Sequence, residues 1–265
     1  MAADYWMSSH FKRWLFTREQ LTELRTAIYE RKRFDTEKEL HLIAAYIKVI
    51  QTVGKHLQYQ QMVIATAVTF LKRFYLKASV LENDLRIVGH TVLYLAAKVE
   101  EMGQIRTDNI IKTWERVKPG PKVRPSDIYA CEMTVLEKLD FDLVIFHPYQ
   151  DLERFVNDWG HDATNVLQVA WGILNDAQRY DSTLLYPPCI LCFAAIYLAS
   201  IHLKHDIKPW FDDLNVNVEK VRQCAASMLE SSEKDDARQV IEASIWDEYA
   251  LYWKSIGASS SLTRS

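Results

Sequence analysis

The stretch Asp84–Glu101, DLRIVGHTVLYLAAKVEE, decides the fold. Leu85, Val88, Val92, Leu95 and Val99 recur at three- and four-residue steps, while Ile87, Leu93, Ala96 and Ala97 fill most of the circumference between them. A helix that is apolar nearly all round lies inside a larger helical assembly. Its small residues, Ala96 and Ala97, let neighbouring helices approach the second half closely. The pattern then changes to Lys98, Glu100 and Glu101, charges at the exit of an otherwise dry helix. Such an end is expected to be presented to something else.

The rest of the chain agrees with a helical assembly. Its 265 residues include only seven glycines and seven prolines, and no proline precedes Pro119. Long segments with so few turn-formers favour helices over a multi-stranded sheet. A net charge of −3 gives no global reason to bind nucleic acid. Four cysteines, with no secretory signal at Met1, fit a reducing, intracellular setting. The longest apolar run, Cys189 to Leu203, includes Ser200 and His202 and is shorter than a membrane span, so no membrane role is expected.

Outward from the central helix, the first half contains five helices with the most apolar one third. Trp6, Phe11, Trp14 and Leu15 form an aromatic lead-in, and Thr17 with Gln20 reads as a capping box opening a helix through Leu21, Leu24 and Ile28. Glu30-Arg31-Lys32-Arg33 reads as a solvated connector. Thr36 with Glu39 is a second capping box, followed by Leu40, Ile43, Ile47 and Ile50, with Gly54 placed to stop the helix. Val63, Thr66, Ala67, Phe70, Leu71 and Phe74 make the next stripe. After the central helix come a short helix near Asn109–Val117, the proline-rich loop KPGPKVRPSD (118–127), and a stripe through Ile128, Cys131, Val135, Leu136 and Leu139.

The second half repeats the plan: stripes at Leu152–Trp159 and Val166–Ala177, an all-round apolar helix at Cys189–Leu203 behind Pro187-Pro188, a short segment at Trp210-Phe211, and a stripe from Val218 to Leu229. Aligning LAAK (95–98) with LASI (198–201) gives an offset of 103 residues, which means duplicated domains rather than a short-repeat solenoid. Lys98 falls opposite Ile201, so the charged end exists only in the first copy. The expected division is an N-terminal helical segment (1–35), two boxes (36–145 and 146–232), then a C-terminal helix through Ile241, Ile245, Tyr249 and Trp253 with a disordered tail (233–265).

This all-α plan of two five-helix repeats, with LYLAAKVEE (93–101), QQMVIATAVTFLKRFY (60–75), WMSSHFKRW (6–14), FHPY (146–149), LLYPP (184–188) and WFDDLNVNVEKV (210–221), resembles the cyclin family, and within it the transcriptional cyclin of the Mediator kinase module. The resemblance spans residues 5–230. It implies an activating subunit of a cyclin-dependent serine/threonine kinase, with no chemistry or cofactor of its own. It also implies a nuclear location, the kinase and other subunits of the Mediator kinase module as partners, and no direct contact with nucleic acid. Lys98 matches the cyclin-box lysine and Glu132 the glutamate of the fifth helix. In the family both lie on the surface that receives the kinase's regulatory helix. Glu101 is a further candidate there, and Trp6, Phe11 and Trp14 match a segment that helps recognise the kinase. On spacing alone, Lys98 and Glu132 would be ordinary solvated charges, and the three aromatics would be staples packing the N-terminal segment onto the first repeat.

The chain departs from the cell-cycle members of the family. Their hydrophobic-patch motif is absent, since the segment before the second helix reads GKHLQYQQMVIA (54–65), so recruitment of basic–leucine motifs is not expected. No destruction-box-like segment stands near Met1. Cys189 and Cys192 form a CxxC inside an apolar helix, where cysteine is a small core residue rather than a metal ligand. Ser9-His10 lacks a third catalytic group, and no phosphate-binding glycine loop is present. The cations Arg116, Lys118, Lys122 and Arg124 read as a solvated loop, with phosphate or an acidic partner as the alternative. Two rival functions stay open: a different transcriptional cyclin with another kinase, and a cyclin-fold general transcription factor on promoter DNA, which wants a basic face.

Overall fold

The computed structural model describes residues 4–32, 35–160, 162–214, 216–230, 249 and 251–253. A 3₁₀ turn, Tyr5–Met7, precedes α1 (Ser9–Trp14), α2 (Arg18–Lys32), α3 (Thr36–His56), α4 (Gln61–Tyr75), α5 (Leu85–Val99), α6 (Thr107–Val117) and α7 (Pro125–Lys138). The series continues with α8 (Tyr149–Trp159), α9 (Ala163–Ala177), the single turn α10 (Ser182–Leu185), α11 (Pro188–Leu203), α12 (Lys208–Asp213) and α13 (218–230). There is no strand among the described residues, and none of their helices is long and apolar enough to cross a membrane.

The described residues divide into two compact units, each discontinuous in sequence. The first-repeat unit joins Glu19–Leu143 to the described part of Asp235–Ser265, and the second-repeat unit joins the described part of Met1–Arg18 to Val144–Lys234. In the first, α5 is the central rod, packed by α4, α7, α3 and α6. Leu85, Val92, Leu93, Ala96 and Ala97 are wholly buried, each larger side chain contributing about 1.5–3 kcal/mol. In the second, α11 plays the same part against α9 and α8.

Small residues set how closely these helices approach, and here two expectations change. Gly54 does not stop α3, which runs on to His56. A Cβ at Gly54 would stand 2.6 Å from Ile64 Cγ1, so the glycine is there to let α3 lie against α4. Gly89 does the same on α5, where a Cβ would strike the Tyr46 ring and stand 3.1 Å from Trp114.

The expected capping box at Thr36 and Glu39 is also replaced. Asp35 is the N-cap, its carboxylate accepting from the Glu37 amide at 2.9 Å. Glu39 turns inward and accepts from the Val80 amide at 2.8 Å, and desolvation raises its pKa. Glu30, Arg31 and Lys32 continue α2 rather than forming a connector, because nothing in that run breaks a helix. Residues 33 and 258–265 lie outside the described residues. So does most of the expected C-terminal helix, of which Tyr249 and residues 251–253 are helical.

The N-terminal aromatics belong to the second-repeat unit, not the first as the staple reading had it. His10, 5% exposed, accepts from the Phe146 amide at 3.1 Å, which accounts for the Ser9-His10 pair without catalysis. Tyr5 packs edge-on against Phe146, and the Phe16 amide donates to the Leu184 carbonyl at 2.9 Å. On α11, Cys192 is buried and Cys189 half-buried, with desolvation raising both thiol pKa values, as for inert core residues.

Candidate functional site

Lys98 and Glu132 come together on the surface of the first-repeat unit. Lys98 Nζ donates to Glu132 Oε1 at 2.5 Å, joining the last turn of α5 to the middle of α7. The lysine side chain is 45% exposed and the glutamate 19%. The hydrogen bond to Glu132 is the largest influence on Lys98 and raises its pKa, so the ammonium is held charged. It also lies 5.2 Å from the centroid of the Tyr94 ring, one turn back on α5.

The turn that presents Lys98 is built from the two residues after the helix. Glu101 takes a left-handed backbone (φ 53°) where glycine is the usual choice. Its amide donates to the Lys98 carbonyl at 3.2 Å, and the Met102 amide donates to the Ala97 carbonyl at 3.0 Å. These two bonds satisfy carbonyls the helix would leave open. Glu100 accepts from Thr66 Oγ1 on α4 at 2.6 Å, tying the exit to its neighbour. Glu101 therefore has a backbone duty in the turn, and its side chain is exposed.

Around the ion pair lies apolar surface that sequence reasoning did not single out. Tyr129 is 51% and Met133 56% exposed, and they share with Glu132 one face of α7 at three- and four-residue spacing. Tyr129 packs edge-on against Tyr94, with its hydroxyl 3.1 Å from Thr107 Oγ1. Phe141, 58% exposed, follows in a turn where both Asp140 and Phe141 have left-handed backbones. The available signal was a stripe on α7 with more apolar positions than its buried face needs.

The aromatic candidates separate. Trp6 is 54% exposed, Phe11 is half-buried against it at 5.0 Å between ring centroids, and Trp14 is 2% exposed. Trp14 is thus a core residue of the second-repeat unit, while Trp6 and Phe11 form an accessible edge-to-face pair.

The candidate site is thus an ordered cation–carboxylate pair beside exposed aromatic and methionine side chains on a helical scaffold. Relatives sharpen the class. The family defined by the cyclin N-terminal domain matches residues 14–144. Cyclin-C1-1 of Arabidopsis thaliana is 36% identical over 233 residues, 87% of this chain and 90% of that protein. Cyclin-C of Rattus norvegicus is 33% identical over 243 residues, 88% of this chain and 84% of its own. Among solved structures, a chain of the CAK complex from Chaetomium thermophilum superposes with a TM-score of 0.72 at 21% identity, covering 85% of this chain and 79% of that one. A chain of the yeast TFIIK complex gives 0.68 at 24% identity, covering 84% and 100%. The chain belongs to the cyclin family, and within it to the cyclin C group. Proteins of this group are regulatory cyclins, not catalytic enzymes.

Proposed function

We propose that the chain is the activating subunit of a cyclin-dependent serine/threonine kinase that acts in RNA polymerase II transcription, in the nucleus, as part of the Mediator kinase module. The observation that carries this reading is the Lys98–Glu132 pair set beside Tyr129 and Met133 on one accessible face. A lysine ammonium has three donors and spends one on Glu132, which leaves two for carbonyls at the end of a partner helix. The exposed aromatic and methionine side chains supply apolar contact, and the charges fix register. Docking of this kind positions the kinase's regulatory helix, and with it the lysine–glutamate pair that phosphoryl transfer needs. Trp6 and Phe11 form a second contact that selects the kinase, and Glu101 flanks the first. On this reading residues 36–145 and 146–232 are the two boxes of the subunit.

The test is binding and activation of the purified Mediator-associated kinase by the chain and by Lys98→Glu. The substitution should weaken binding by about 2–5 kcal/mol once the pair is enclosed by the partner. It should change the stability of the free chain by no more than about 1 kcal/mol, because the pair is solvent-screened there. Unchanged binding with Lys98→Glu would move the interface elsewhere, with Trp6 and Phe11 next in line. Failure of the unaltered chain to bind would direct the search to other transcriptional kinases.

A further inference from the structure

Helix α4 lies behind the Lys98 face rather than on it. From Val63 to Tyr75 every residue except Thr69 is buried, and the helix packs against both α5 and α7. Thr66, Arg73 and, just past its end, Lys77 reach the turns that close those two helices. At the exit of α5, Thr66 Oγ1 donates to Glu100 Oε1 at 2.6 Å from a fully buried position. A hydroxyl bonded to a carboxylate is a charge-assisted contact, stronger than a neutral one. Glu100 is the cap of α5, its own amide donating to the Ala96 carbonyl at 2.9 Å. Holding its side chain therefore holds the point from which Glu101 enters its left-handed backbone and Lys98 is presented.

The exit of α7 is held from the same helix. Lys77 Nζ donates to Asp140 Oδ2 at 2.5 Å, and Arg73 Nη1 donates to the Asp142 carbonyl at 3.4 Å. Between these two residues stands Phe141, exposed and at φ 58°. A bulky side chain seldom takes that conformation. Such backbones persist where the surroundings over-determine them, and here the residues on either side of Phe141 are both tied to α4. The bond at Asp140 is the weaker restraint, since Lys77 and Asp140 are 35% and 44% exposed and screened by solvent.

We infer that α4 is the positioning element of the docking face: Thr66 sets the turn that presents Lys98, and Lys77 with Arg73 sets the turn that presents Phe141. One buried helix thereby fixes the spacing between the two ends of the face before a partner arrives, which lowers the ordering cost of binding. Thr66 and Arg73 are wholly buried and cannot themselves touch a partner, so they act through the turns. The inference rests on the kinase-docking reading and adds to it residues that stand behind the contact.

The experiment measures binding of the purified Mediator-associated kinase to single and paired variants of the full chain. Thr66→Val, which removes the hydroxyl, should weaken binding about tenfold, and Thr66→Ser, which keeps it, by no more than about twofold. Lys77→Met, at a screened pair, should cost about threefold. In a Lys98→Ala background Thr66→Val should cost less than about twofold, and so should Lys77→Met in a Phe141→Ala background, because each turn then presents nothing. Without kinase, the Glu101 and Met102 amides should exchange about tenfold faster in Thr66→Val. Additive losses in the paired variants would mean that Thr66 and Lys77 act on overall stability, and would overturn the proposal. So would full binding by Thr66→Val where Lys98→Ala is weakened, an outcome that leaves the docking face standing. Failure of the unaltered chain to bind would bring down the docking reading and this inference together.

Discussion

Helices α5 and α11 end on the same turn, 103 residues apart, and differ in what the turn carries. In α5 the Glu101 amide donates to the Lys98 carbonyl and the Met102 amide to the Ala97 carbonyl. In α11 the Lys204 amide donates to the Ile201 carbonyl and the His205 amide to the Ser200 carbonyl, and Lys204 has the same left-handed backbone, φ 60° against 53°. The side chains diverge. Where α5 has Lys98 paired across to α7, α11 has Ile201, 57% exposed. Where α11 places a cation at its carboxyl end, which the helix dipole favours, α5 places the anion Glu101, which it opposes. The same turn thus closes both helices, while α5 alone carries an unfavourable charge at its end and an ion pair across to α7.

The interiors diverge too, and the largest expected effect lies there. His90 of α5 stands where α11 has Phe193. Desolvation pushes the His90 pKa down to about 4 from its ordinary 6.5, so the folded unit holds a neutral imidazole while the unfolded chain takes up a proton below 6.5. Its stability is therefore complete above pH 6.5 and lost as pH falls towards 4, by on the order of 3 kcal/mol. Urea unfolding at stepped pH should show that loss, and His90→Phe, which installs the α11 residue, should flatten it. A slope that survives His90→Phe would belong to another group.

The next effect concerns close approach. Gly89 faces Tyr46 and Trp114, and the corresponding position of α11 is the buried Cys192. Gly89→Ala should destabilise the first-repeat unit by about 1–3 kcal/mol through overpacking. Gly172, on α9 with open space around it, should gain about 0.5–1 kcal/mol as Gly172→Ala. Denaturant midpoints of the two variants should move in opposite directions.

The smallest effect tests the turn itself. Glu101→Gly should stabilise by roughly 1 kcal/mol, by relieving the left-handed backbone and removing an unfavourable charge. Lys204→Glu should lose about 0.3–1 kcal/mol by adding one. Equal responses from the two would mean that the turns are not equivalent.

Much of this was legible in the amino-acid order. The stripes of α4, α5, α9 and α11, the offset of 103 residues, and the contrast of Lys98 with Ile201 all follow from side-chain periodicity, which the buried helices obey. That Lys98 and Glu132 share one surface came from family resemblance, because spacing alone does not bring two residues of different helices together, and their pairing with each other is seen only in the structure. What could not be read was set by neighbours distant in sequence. Gly54 looked like a helix stop because Ile64 was not yet known to press on it. Glu39 looked like a cap because the Val80 amide it serves is 41 residues away. Trp14 looked as available as Trp6, since a core position and an exposed one differ only in what covers them.

Each unit draws a piece of itself from the far end of the chain. Tyr249 closes the start of α5 across 164 residues, and the segment holding His10 and Phe16 sits with residues 144–230. During synthesis, then, the first repeat leaves the ribosome with the Leu85 amide still lacking its tyrosine partner, and the N-terminal segment emerges well before the repeat it belongs to. Neither unit can be completed by the portion of the chain that carries its own repeat. A nascent chain halted after α7 holds most of one core and an N-terminal segment with nowhere yet to dock, a state in which Trp14 is open to chaperones rather than enclosed.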